Sequence, residues 1–77
     1  MNIISLLQAK MLRHLSTVLR KYRIEKGLTQ MELSIECEMD KTQVCDLENM
    51  QMNNITLQTI AKIMCGTGMN SLQLLGS

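Results

Sequence analysis

Two helix-start signatures set eleven residues apart constrain this 77-residue chain more than any other feature. In the stretch from Gly27 to Glu48, GLTQMELSIECEMDKTQVCDLE, Thr29 is placed to cap a helix through its hydroxyl, and Glu32 to reach back to the Thr29 amide. Asp40 and Gln43 repeat this capping box. Just outside each cap an apolar residue stands five positions before another, Leu28 before Leu33 and Met39 before Val44, the spacing of a hydrophobic staple. The interval leaves about two turns for the first helix, then a tight turn, then a second helix. That is the proportion of a helix-turn-helix.

The same punctuation recurs downstream. Thr56 lies between Ile55 and its staple partner Ile60, and Asn70, with Gln73 three residues on, lies between Met69 and Leu74. Upstream, apolar residues at Ile4, Leu7, Met11, Leu15, Val18 and Tyr22 fall in steps of three and four, which predicts a long amphipathic helix from Asn2 to Lys26. Gly27 closes it in a left-handed conformation, with Lys21, Arg23 and Lys26 favourably placed in its last turns. The stripe outruns what the motif needs, so residues 1–12 read as an extension, either a satellite of the core or part of a dimer contact. The motif helices are expected from Gln30 to Cys37, with Leu33 and Cys37 inward, and from Lys41 to Asn49, with Val44 and Leu47 inward. Met50 to Asn54 reads as a polar loop. A fourth helix is expected from Leu57 to Cys65, stopped by Gly66 and Gly68, and a short fifth follows Asn70. Proline is absent, Tyr22 is the one aromatic residue, and Leu, Ile and Met dominate the apolar set, so the fold class is all-α. The chain reads as a single domain over 1–77, with Gly76-Ser77 as a cloning remnant.

In order along the chain, Arg23, Gly27-Leu28-Thr29-Gln30, Glu32-Leu33-Ser34, Met39-Asp40, Val44 and Leu47-Glu48 resemble the Cro/cI-type (XRE) family of bacterial and phage DNA-binding domains. The resemblance covers roughly Leu15 to Leu75. It implies a compact five-helix, lambda-repressor-like helix-turn-helix domain with its family-like core over 15–75 and an extended first helix. It also implies an ion pair between Arg23 and Glu48. Three positions depart from the family pattern: Ser34 stands where alanine is preferred, and Glu38 and Met50 stand where glycine is usual. A non-glycine residue in a left-handed turn costs about 1 to 2 kcal/mol.

The function implied is a sequence-specific, dimeric, autoregulatory DNA-binding transcriptional regulator. In this geometry the second motif helix enters the major groove by its N-terminal side chains while the first crosses the backbone. The base-reading candidates are then Lys41, Thr42, Gln43 and Asp46: lysine donates to guanine, threonine offers a methyl to thymine, and aspartate accepts from cytosine. Thr29, Gln30, Asn49, Gln51 and Asn53 are the candidates for phosphate contacts, helped by free amides at the helix start. Each polar residue alone is more simply read as part of a solvated face, and it is their convergence on one face that points to DNA. A small domain gains from a partner, and Leu72, Leu74 and Leu75 are the candidate dimer contacts. A domain of this length resembles the controller proteins of restriction-modification systems. The alternatives are a small phage-type repressor, or an antitoxin or other protein-interaction module whose partner is a toxin or RNA polymerase.

Charge alone argues against a strongly electrostatic footprint. The net charge is +1, but residues 1–27 carry a balance of +5 and residues 28–77 one of −4. Catalysis has little to work with, since His14 has no acidic partner at helical spacing and no phosphate-cradling glycine loop occurs. The chain is therefore not expected to be an enzyme. Cys37, Cys45 and Cys65 match neither a paired-cysteine motif nor a zinc ligand set, so no metal or cofactor is expected, and reduced thiols suit a cytoplasmic protein. The apolar start, Ile3 to Leu7, is too short to span a membrane.

Overall fold

The computed structural model describes residues 3–52 and 55–75, with the side chains of Ser71 and Leu75 outside the described set. The expectations placed on Asn2, Asn53, Asn54, Gly76 and Ser77 lie outside the described residues. Five helices follow in order: α1 Ile3–Glu25, α2 Gln30–Glu36, α3 Lys41–Glu48, α4 Leu57–Thr67 and α5 Ser71–Leu75. No strand occurs among the described residues.

The starts follow the sequence signatures. Thr29 Oγ1 accepts from the Glu32 amide at 3.1 Å while the Thr29 amide donates to Glu32 Oε1 at 2.8 Å. The Asp40 amide donates to Gln43 Oε1 at 3.1 Å, and Thr56 Oγ1 accepts from the Thr59 amide at 3.2 Å. Asn70 and Gln73 exchange a reciprocal pair of bonds at 3.0 and 2.9 Å. All eight staple residues belong to the core or pack against it.

The first three helices end alike. After α1 the Leu28 amide reaches back to the Arg23 carbonyl and the Gly27 amide to that of Ile24; after α2 the Met39 amide reaches Ser34 and that of Glu38 reaches Ile35; after α3 the Gln51 amide reaches Asp46 and that of Met50 reaches Leu47. This is the Schellman closure, which needs a left-handed residue at its hinge. Gly27 supplies it freely at φ +68, whereas Glu38 at φ 53 and Met50 at φ 58 adopt it against the steric preference of an L side chain. Both non-glycine turns therefore keep the expected geometry and carry strain, held by the packing of the helices on either side.

The core is drawn from every helix: Leu15 and Leu19 of α1, Leu33 of α2 with Cys37 and Met39 of the turn, Val44 and Leu47 of α3, Ile63 of α4 and Leu74 of α5. Two expectations are corrected here. Gly66 does not stop α4, which runs on to Thr67 and is closed by Gly68 at φ +76. A Cβ at Gly66 would lie 2.6 Å from the Glu36 carbonyl oxygen and 2.7 Å from Cys37 Cα, so the glycine is there to let the end of α2 approach the α4 backbone. Leu74, expected as a dimer contact, is fully buried inside the monomer and is unavailable for one. Leu72 is the exposed leucine of α5, and the side chain of Leu75 is outside the described set.

Candidate nucleic-acid interface

Helix α3 is anchored along one side by Val44 and Leu47, both fully buried, and at its far end by Glu48. Arg23 Nε donates to Glu48 Oε2 at 2.7 Å and Arg23 Nη2 to Glu48 Oε1 at 3.0 Å, a two-pronged ion pair with side-chain exposures of 18% and 3%. The third nitrogen of the guanidinium, Nη1, donates to the Leu28 carbonyl at 3.1 Å. The Glu48 hydrogen bond is the main reason that Arg23 holds its proton even more tightly than usual; burial works against it, and the Glu48 charge adds to it. A carboxylate this buried requires such partners. Gln30 Nε2 is the third donor, reaching Glu48 Oε1 at 3.3 Å. One carboxylate thus joins the end of α1, the start of α2 and the end of α3, and sets the angle between the two motif helices.

Ser16 adds a second tie. Its hydroxyl is buried on α1 and hydrogen-bonds the Leu47 carbonyl, near the C-terminal end of α3, as well as the Leu12 carbonyl at 2.8 Å. A carbonyl in the last turn of a helix lacks an intrahelical donor, and Ser16 supplies one. Neither Ser16 nor the Gln30 contact with Glu48 was foreseen. A small polar residue flanking the apolar stripe of α1 is the available signal for Ser16; Gln30 and Glu48 are eighteen residues apart and carry none.

With its inner side fixed, α3 leaves its first turn facing water. Lys41 and Thr42 are exposed, and Gln43 and Asp46 are half-buried beside them. Gln43 Oε1 is engaged by the Asp40 amide, which leaves the amide nitrogen of Gln43 as its outward donor. Among the expected backbone contacts, Thr29 is exposed but its oxygen closes the capping box, and the nitrogen of Gln30 is turned to Glu48. Asn49 and Gln51 are exposed at the end of α3, where Asn49 Nδ2 lies 3.4 Å from Cys45 Sγ. Asn53 lies outside the described residues.

The electrostatics of this side are mixed. Glu32, Glu36, Glu38 and Asp40 surround Lys41 in sequence, whereas the exposed cations Lys10, Arg13, Arg20 and Lys21 all sit on α1. His14 Nε2 meets the Gln73 carbonyl at 3.1 Å and joins α1 to α5 rather than serving any acid-base pair. Among the described residues no group of three or more His, Cys, Asp or Glu side chains is placed to hold a metal ion, and all three cysteines are free. Cys37 is buried, which with the charge of Glu36 pushes its thiol up to about 11. No described helix is long and apolar enough to cross a membrane.

No family model matches the chain. Over 57 residues it is 37% identical to a hypothetical transcription factor of Neisseria meningitidis serogroup B, an alignment that covers 74% of this chain and 53% of that protein. The chain therefore spans about half the length of the curated relative it matches. The crystal structure of the Neisseria hypothetical transcription factor superposes with a TM-score of 0.76 at 34% identity, over 84% of this chain and 74% of that one. That of the wild-type restriction-modification controller protein C.Esp1396I superposes with a TM-score of 0.72 at 30% identity, over 83% of this chain and 81% of that one.

Proposed function

Since the chain belongs to the family of small helix-turn-helix transcription regulators that includes the C.Esp1396I controller and the Neisseria factor, we propose that it is a Cro/cI-type DNA-binding regulator that controls its own expression. Within that family we read it as a restriction-modification controller. The observation that carries the DNA reading is the state of α3: its C-terminal end is clamped through Glu48 to Arg23, while Lys41 and Thr42 at its first turn are free and exposed. A reading helix needs this combination, because base discrimination depends on side chains held at fixed depth in the groove.

In the proposed complex Lys41 and Thr42 meet base edges, and Asp46, one turn further along, accepts a base amino group or excludes sites that lack one. Asp46 would repel phosphate, so its place beside Lys41 makes sense as a selectivity element. Affinity comes from helix N-terminal amides and neutral side chains such as Gln51 and Asn49 more than from a dense lysine face. The working unit is a homodimer through α5, with Leu72 and Leu75 as apolar contacts, so that two α3 helices reach successive major grooves about 34 Å apart.

The test is binding to the DNA upstream of its own gene, measured against competitor DNA at moderate salt. The reading requires the upstream fragment to be bound in strong preference to random DNA. Equal binding of both at that salt rules out autoregulation. A restriction endonuclease gene adjacent to its own supports the controller role, whereas a cognate small gene whose product co-purifies stably supports an antitoxin instead.

A further inference from the structure

The first turns of α1 carry a surface that the reading helix does not use. Ile3, Ile4, Leu6 and Leu7 are each more than half exposed, a concentration of apolar side chains that soluble chains seldom leave uncovered without a binding role. Beside this ridge runs a groove of about 570 Å³, walled by Met11 and Leu12 of α1 and, opposite, by Met52, Ile55, Leu57 and Ile60. Leu57, on its rim, is 88% exposed. No charged residue lines the groove, and none occurs from Ile3 to Ala9. The first cations of the helix, Lys10 and Arg13, line a different hollow with His14 and Thr17, so the charge of α1 is kept off the groove.

We infer that the ridge docks into the groove of a second copy of this chain. Ridge and groove are matched in being uncharged, and they are adjacent, because α1 supplies both the ridge and one wall of the groove. A two-fold axis that seats one ridge in the partner's groove therefore seats the other ridge equivalently, which is the requirement for a closed, isologous contact. The exposed run from Ile3 to Leu7 is one turn and more of helix, about 7 Å long, a length that a groove of this size accommodates. The contact is distinct from the one proposed for α5, and it does not rest on DNA binding, so its failure leaves the proposed function standing.

The experiment is sedimentation equilibrium of the whole chain without DNA, over a concentration series, for the wild type, Leu7→Asp on the ridge and Leu57→Asp on the groove rim. Both residues are exposed in the monomer, and circular dichroism checks that helix content is retained; Leu7→Ser is the milder variant if Asp unwinds the first turns. The wild type is expected to dimerise, and each variant to raise the dimer dissociation constant about ten-fold or more, since either places a polar or charged group in an apolar contact. The inference is overturned by a wild type that stays monomeric throughout, by ridge and groove variants that associate like the wild type, or by an effect confined to one of them, because the two sides of this contact must fail together.

Discussion

The two halves of α1 share one apolar period and differ in everything else. From Leu15 to Arg23 the stripe is covered: Leu15 and Leu19 are fully buried, Ser16 bonds the last turn of α3, and Arg23 clasps Glu48. From Ile3 to Met11 the same spacing leaves Ile4, Leu7 and Met11 open to water. The turn at Gly27 explains the difference, because it folds α2 and α3 back against the C-terminal half alone. A period of three and four residues reports that a helix has an apolar face. Whether that face is core depends on which elements return to cover it, and that is a property of the turns downstream.

This contrast is sharpened first at the ion pair. Arg23→Ala should destabilise the domain by about 3 to 5 kcal/mol, because it strands a carboxylate that water scarcely reaches. Glu48→Ala should cost less, since the more exposed guanidinium of Arg23 can regain water. Urea unfolding of both single variants and the double variant checks this, and a coupling near zero in the cycle would show that the clasp holds nothing. Next comes a matched pair within the one helix. Leu19→Ala should cost about 2 to 5 kcal/mol, as truncations of buried leucines do, whereas Leu7→Ala should change monomer stability by less than about 0.5 kcal/mol when measured at low concentration. Comparable losses at the two positions would mean that the extension is part of the core.

A third effect is confined to alkaline pH and to the covered side. The buried Cys37 thiol keeps its proton up to about 11 in the folded chain against 9.0 for an ordinary thiol, so folding favours the protonated form. Its contribution is fully present below pH 9 and is lost as pH rises towards 11. Tyr22, whose hydroxyl is also pushed upward, chiefly by burial and then by the charges of Glu36 and Cys37, adds to the same decline. Thermal melts at pH 8 to 11 should show a shallower fall for Cys37→Ala than for the wild type, and parallel curves would contradict this. The smallest effect is a gain. Glu38→Gly should raise stability by about 1 kcal/mol by relieving a left-handed turn at φ 53, and an unchanged or lowered denaturation midpoint would show that the side chain relieves its own strain.

The features legible in the sequence were local ones. A cap and its partner three residues on, or a staple five residues apart, meet within one turn whatever the rest of the chain does, and so every helix started where its punctuation put it. Ends and contacts were less legible because they depend on what comes alongside. Gly66 looked like a stop and is instead the place where α2 approaches α4. Leu74 looked free for a partner and is fully buried beneath α5. At the candidate interface, the exposure of Lys41 and Thr42 follows from the Asp40 start and the inward turn of Val44 and Leu47. The tie from Gln30 to Glu48 required the two motif helices to be placed first.

The proposal that the first turn of α3 reads sequence is tested most directly by binding of wild type and Lys41→Ala to the preferred operator and to the full set of its single-base variants. The account predicts that Lys41→Ala loses about 1 to 3 kcal/mol on the preferred site and flattens the preference at one base pair, leaving discrimination elsewhere intact. If Lys41→Ala instead lowers affinity for every variant by the same factor, Lys41 is a phosphate contact and the reading edge lies elsewhere on the protein.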